Sequence, residues 1–399
     1  MTPTTDRLDY FAGLPAAGSP LARFYGKASW APLGYYAGKP YETFDFSAAN
    51  LCRKYGPDFG AAFADVSHKR LRSWGMNTIG NWSDAAIYLE RKTPYVEPIG
   101  HRERSSEGSE GYWGKFPDPF DPAFLTDLAR RMAGRAGKSA ADPWCIGFFT
   151  DNELNWGDDV SLAVAALRSP ADQPAKLAFV ADLQAKYGAI GALNAAWGTA
   201  HASWDALLQD RTAPDAAKAG ADLRAFYVRL AETYFRTCRE EIKRVAPNNL
   251  YLGCRFGGGW QNEAAIRAAA RYCDVVSLNL YEYSLTGFRL PAGVDAPVLV
   301  GEFHFGALDR GLFHPGLCPT ENQQDRAAKY TGYVRSALAN PLIVGTHWFQ
   351  YVNEATTGRG DGENYQIGFL DVCDTPYPET VAACRQTGYR LYELRSKSE

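Results

Sequence analysis

FFTDNELNWG at residues 148–157 and VLVGEFHFGALDRG at residues 298–311 are the two stretches on which the reading of the fold turns. Each opens as a short apolar run, reaches a glutamate, and passes into a polar, aromatic-rich loop. WCIGFFT (144–150) shows no polar alternation, the pattern of a strand buried on both faces of a parallel sheet. Glu153 and Glu302 are thereby expected at the carboxyl ends of two buried strands. A carboxyl group is costly to bury unless it is paired or put to use. Two of them at equivalent places in an α/β chain suggest the acid/base and nucleophile pair of a retaining glycosidase, whose carboxyl groups stand about 5–5.5 Å apart.

Working outward, strand-like and helix-like segments alternate. SHKRLRSWG leads into the strand MNTIGNW (76–82), followed by TPYVEPIG (93–100), a Gly/Ser/charged loop over 100–118, and the helix DPAFLTDLARRMAGRAG (121–137). After the Glu153 strand come NLYLGCRFGG (249–258), CDVVSLNLYEY (273–283), PVLVGEFHFG (297–306) and PLIVGTHWFQY (341–351). The helices ENQQDRAAKYTGYVRSALAN (321–340) and PETVAACRQTGYRLYELR (378–395) flank the last of these. This order predicts an α/β chain folded as one (β/α)8 TIM barrel over 1–399, with its chemistry in the loops after the strands. Residues 160–225 are Ala-rich and helical and are read as an insertion after strand 4. The first strand belongs before about residue 15, where RLDYFAGLP is a poor candidate; it is either irregular or missing.

Composition narrows the function classes. The 399 residues are 46% hydrophobic, enough for a large core. The 42 basic and 45 acidic residues are interspersed, so no basic face for nucleic acid is expected. No stretch approaches the ~20 apolar residues of a membrane helix. The eight cysteines are scattered without CxxC or zinc-like spacing, as for reduced thiols. MTPTTDRLDYFAG lacks a basic segment followed by an apolar one; the expectation as written is cytoplasmic, or secreted or periplasmic where a leader has been removed. The 10 Trp, 23 Tyr and 21 Phe suit both a carbohydrate site and an aromatic core.

Around the two glutamates a binding set can be named. Asn152, directly before Glu153, suits a sugar 2-hydroxyl. Arg255 and Tyr281, each ending a strand, are expected on the Glu302 carboxylate. Asn81 and Trp82, with Trp348 and Gln350, supply a stacking floor and hydroxyl readers. His304, Tyr283 and Asn364 complete the set of substrate contacts. The plain alternatives are a strand-end glutamate capping a helix, an ordinary ion pair for Arg255, and core roles for the tryptophans. No HxxxH or carboxylate cluster supports a metal, and RFGGGW lacks the features of a phosphate loop, so no metal and no cofactor are expected.

The chain resembles the catalytic domain of glycoside hydrolase family 50, the β-agarases, in the clan of retaining barrels. The resemblance rests on LRSWGMNTIGNWSD (71–84), RKTPYV (91–96), GFFTDNELNWGD (147–158), YGAIGALNAAWGT (187–199) and DVVSLNLYEY (274–283). It continues through GEFHFGALDRGLFHPG (301–316), HWFQY (347–351) and TGRGDGENYQIGFLDVCDTPYPE (357–379). It implies retaining, largely exo-acting hydrolysis of β-1,4 galactosidic bonds in agarose, with Glu153 as acid/base and Glu302 as nucleophile. The accessory carbohydrate-binding domain and FFSLGV-like first strand typical of the family are not seen in this sequence. A related galactan such as porphyran or carrageenan fragments, or a non-catalytic glycan-binding barrel, are the rival readings.

Overall fold

The computed structural model describes residues 1–100 and 104–397; the part of the expected loop at 101–103 lies outside the described residues. The architecture is mixed α/β. Nine strands form three small sheets: β1 (Thr2–Pro3), β2 (Tyr25–Ala28) and β3 (Tyr41–Phe44) are antiparallel in the order β1-β3-β2. β4 (Tyr95–Ile99), β5 (Cys145–Thr150) and β6 (Leu250–Tyr251) are parallel, as are β7 (Val276–Asn279), β8 (Val298–Phe303) and β9 (Ile343–Trp348). Isolated parallel bridges join Ile79 to Tyr95 and Phe256 to Leu278, so parallel pairing runs in chain order from Ile79 to β9.

Burial on both faces explains why these runs are strands. All six residues of β8 are buried, and so are all of β7. Neighbouring side chains go to opposite faces. Phe148, Val298 and Val300 join the large cluster under the helices, whereas Val96, Phe149, Leu252, Val275 and Leu299 form a small separate one. Outside the sheet the helix Gln323–Ala339 lays Tyr333 flat on Phe303, with ring centroids 4.2 Å apart.

The expected insertion is present as helices Ser161–Arg168, Pro174–Tyr187, Ile190–Trp197 and Trp204–Gln209, which lead into the long helix Ala216–Val245. Phe179 stacks on Phe226 of that helix at 4.3 Å. Asp222, buried on the same helix, accepts from Lys186, Tyr187 and the Trp197 indole, which fixes the insertion to the body.

RLDYFAGLP, the poor candidate for a first strand, contains a 3-10 turn (Leu8–Tyr10), and the strands before residue 79 are antiparallel. Three sequence expectations need correction. MNTIGNW contributes one bridge at Ile79 and no longer strand. NLYLGCRFGG is a two-residue strand, because Gly253 and Arg255 adopt positive φ (78° and 54°) and bend the chain off the ladder. The closing helix breaks after Gly388 and resumes at Leu391. Among the described residues no helix is long and apolar enough to cross a membrane, and all eight cysteines are free.

At Gly388, the last residue before this break, the chain passes too close to the backbone of Gly75 for any side chain. A Cβ there would stand 2.3 Å from the Gly75 carbonyl oxygen, backbone that has no room to give. In an open helix Gly→Ala gains up to about 1 kcal/mol. Gly388→Ala is expected to do the reverse, lowering stability by about 1–3 kcal/mol in urea unfolding.

Candidate active site

The ends of β5, β7 and β8 and the turn after β6 converge on one polar centre. At the end of β5 the chain turns sharply: Asp151 and Glu153 have φ of 57° and 51°. Three backbone bonds lock this turn, Thr150 N–H to Gly253 O, Asp151 N–H to Ile99 O and Glu153 N–H to Arg255 O. Trp82 and Arg255 also have positive φ, so four non-glycine residues in this strained region gather at one place.

Arg255 is at the middle of the network and has no solvent exposure. Its Nε donates to Asn152 Oδ1 (2.8 Å), Nη1 to the Gly301 carbonyl (3.1 Å) and Nη2 to Glu302 Oε1. Glu302, 5% exposed on β8, accepts two further bonds: Trp82 Nε1 to Oε1 (3.0 Å) and the Tyr281 hydroxyl to Oε2 (2.6 Å). Both Glu302 oxygens are therefore engaged by donors, one of them a guanidinium, in charge-assisted geometry.

Glu153 has a different environment. Asn279 Nδ2 donates to Oε1 (2.9 Å) and Trp113 Nε1 to Oε2 (2.8 Å), both neutral donors. Burial raises its pKa above the ordinary carboxyl range, and the nearby Glu302 charge raises it further. The two carboxyl groups thus sit in different surroundings, Glu302 with a guanidinium among its donors and Glu153 with neutral donors alone.

Aromatic rings line the Glu153 side. Trp113 stacks beneath Trp30 (6.4 Å), which is 51% exposed, and Tyr112 stacks on Trp260 (5.6 Å). Trp30 arrives from the segment between β2 and β3. That segment is held to β3 by Tyr41 OH to Trp30 O and packs closely on the loop 354–365, where a Cβ at Gly360 would stand 2.7 Å from Trp30 O; Arg7, ahead of β2, donates to Thr357 O of the same loop. The loop is organised by Arg359, which pairs with Glu354, Asp361 and Glu363. Burial raises the Glu363 carboxyl to about 8.

Of the residues named from sequence, Glu153, Glu302, Asn152, Arg255, Tyr281 and Trp82 come together. Asn81 lies next to Trp82 with both side-chain polar atoms buried and unpartnered. His304 adjoins this group, its ring tilted on Tyr281 with centroids 4.6 Å apart, and the others have separate partners. Trp348 is partly buried; it packs edge-on against Phe303 and Phe369 and donates to Ile367 O. His304 is buried, with Nδ1 on Phe349 O and Nε2 accepting from Leu317 N–H; burial lowers its pKa to about 3, leaving a neutral ring with both nitrogens occupied. Tyr283 is half exposed and donates to Pro319 O in a shallow depression with Thr320 and Lys329. Gln350 bonds to Val352 O, and Asn364 to Thr356 O within its own loop. Asn279 and Trp113 were not foreseen. Asn279 stands two residues before Tyr281, on the same face of its strand, and that spacing was the available signal. Trp113 lies in an aperiodic loop and carried none. Among the described residues no group of three or more His, Cys, Asp or Glu is arranged to hold a metal ion.

Removing the guanidinium leaves Glu302 buried beside two neutral donors. Arg255→Met is expected to destabilise the fold by about 3–5 kcal/mol in urea unfolding, and the double variant Arg255→Met/Glu302→Gln to recover much of that loss. A double variant as unstable as the single one would show that the guanidinium acts by packing alone.

No protein-family model matches the chain. Beta-agarase B of Vibrio sp. (strain JT0107) is 39% identical to it, over 98% of this chain and 43% of that protein. Beta-agarase A of the same source is 37% identical, over 88% of this chain and 38% of that protein. A solved structure of an exo-beta-agarase superposes with a TM-score of 0.90 at 35% identity, covering 96% of this chain and 54% of the other. The chain thus spans less than half the length of the two Vibrio proteins. Across nearly its whole length this chain is a homologue of the β-agarases, matching a part of each.

Proposed function

We propose that this chain is a retaining glycoside hydrolase that cleaves β-1,4 galactosidic bonds of agarose or its oligosaccharides, with exo action, by double displacement. The observation that carries this reading is the asymmetry of the two carboxyl groups. Glu302 carries three donors, one of them a guanidinium, and suits the nucleophile; Glu153, with its raised proton affinity, suits the general acid. The homology to β-agarases supports the substrate class.

In the first step Glu153 gives its proton to the departing glycosidic oxygen while a Glu302 oxygen bonds to the anomeric carbon. Glu153, now a carboxylate, then takes a proton from the water that attacks the same carbon, and Glu302 is released. Tyr281 and Trp82 each donate to one Glu302 oxygen, which orients the carboxylate for attack. Trp30, Tyr112 and Trp260 offer ring faces on the Glu153 side, where the leaving-group sugars would lie. The scaffold is read as one (β/α)8 domain over 1–399. The chain-order parallel pairing and the small apolar cluster of alternate strand residues on one face support it.

Glu302→Ala is expected to abolish turnover, with azide or formate restoring part of it as a surrogate nucleophile. Near-wild-type activity in that variant would remove Glu302 from the mechanism. A time course on agarose, read by product mass beside porphyran and carrageenan oligosaccharides, should show short agaro-oligosaccharides from the outset. The alkaline limb of the wild-type pH profile should lie above the ordinary glutamate range, because the acid acts only while protonated and its affinity for the proton is raised.

A further inference from the structure

Asn279 is the last residue of β7, fully buried, and lies opposite Glu302 in the β7–β8 register. Its Nδ2 donates to Glu153 Oε1 at 2.9 Å and to Asn152 Oδ1 at 3.2 Å. Its orientation follows from its neighbours. Asn152 Oδ1 already accepts from Arg255 Nε, so both groups facing this corner of Asn279 are acceptor oxygens, and only the NH2 satisfies them. A continuous line therefore runs from Glu302 through Arg255, Asn152 and Asn279 to Glu153. The other Glu153 oxygen, Oε2, accepts among the described residues from the indole of Trp113, a half-buried loop residue.

We propose that Asn279 is a positioning residue for the general acid. It fixes Glu153 Oε1 as the permanent acceptor oxygen, so that the proton delivered to the leaving group is carried on Oε2, the oxygen on the aromatic-lined side. This rests on the assignment of Glu153 as the acid. A carboxylic acid has one O–H and one C=O oxygen, and an oxygen that receives an N–H from a rigid strand is the one kept as C=O. Oε2 can bear the proton and still accept from Trp113 with its remaining capacity.

The same bond restrains the proton affinity of Glu153. The titratable and charged groups around it are Glu302 from β8, Arg255 from the turn after β6, Tyr281 beyond β7 and Tyr112 from the loop before the helix Pro122–Ala133. Burial and Glu302 favour the neutral form; Asn279, Trp113 and Arg255 oppose them. Among the described residues no other group donates to Oε1, so nothing replaces Asn279 when it is lost.

The test compares Asn279→Leu, which removes the donor at similar size, with Asn279→Asp, which keeps the shape and substitutes an acceptor. With an agaro-oligosaccharide, the alkaline limb of kcat/KM should move upward by about one to two pH units in the Leu variant and further in the Asp variant, where two carboxyl groups share a site. The kcat at neutral pH should fall about tenfold or more. With the dinitrophenyl glycoside of the shortest product, whose leaving group departs without a proton, kcat/KM should fall far less than with the oligosaccharide. Equal losses on both substrates with an unmoved limb would overturn the proposal and leave Asn279 a structural residue. Titration of the Glu153 carboxyl by carbon-13 NMR in wild type and both variants needs no turnover. If the wild type cleaves no galactan, the function proposed above fails on its own. An unmoved Glu153 titration in a folded variant would overturn the role of Asn279 whatever the substrate.

Discussion

A guanidinium that has left water entirely must be repaid by its surroundings, and at Arg255 that requirement shapes the site. The desolvation cost of such a group is several kcal/mol, and it is offset only where geometry supplies a counter-charge and acceptors for the remaining N–H groups. Here the counter-charge is Glu302, and the other acceptors are Asn152 and the Gly301 carbonyl. They lie on two chain segments, so satisfying Arg255 brings the turn after β5 and the end of β8 into register with the turn after β6. The Arg255 carbonyl in turn accepts from Glu153 N–H, and its own N–H donates to Ser277 on β7. The charge also keeps like charge away: burial and Arg255 together lower His347 to about 3, which leaves that ring neutral.

The two glutamates differ because they meet opposite ends of this arrangement. Glu302 touches the cation directly. Glu153 reaches it only through two amides, and feels the Glu302 carboxylate without a cation of its own. The two environments therefore belong to one hydrogen-bond network, on which the separate roles proposed above rest.

Much of this was readable in the sequence, and the failures share a cause. Glu153, Glu302, Arg255, Tyr281 and Asn152 were legible because a polar or charged residue at the end of an apolar run has few places to go. Position at a strand end does not say which face a side chain takes. Trp348 and His304 occupy such positions and turn into the packed side. Asn279 was passed over because it lies within an apolar strand, where a small amide is unremarked unless its register to Tyr281 is followed. The two-residue β6 and the single bridge at Ile79 were overestimated because apolar content alone does not reveal that the backbone bends there.

Trp30, Tyr112, Trp113 and Trp260, with the Arg359 loop, form the walls, and they were the least legible part. They come from segments with no hydrogen-bonding period, and they meet through ring contacts, Trp30 on Trp113 and Tyr112 on Trp260, with the β2–β3 segment packed closely on loop 354–365 at Gly360. That division has a physical logic. Proton transfer and nucleophilic attack tolerate little misplacement, so their groups ride on paired strands and a buried cation. Ring faces that stack on a sugar tolerate more and are carried on loops. Under the function proposed above, changes in the walls would alter which sugar is held without disturbing the pairing of Arg255 with Glu302, because among the described residues no wall residue shares an acceptor with that guanidinium.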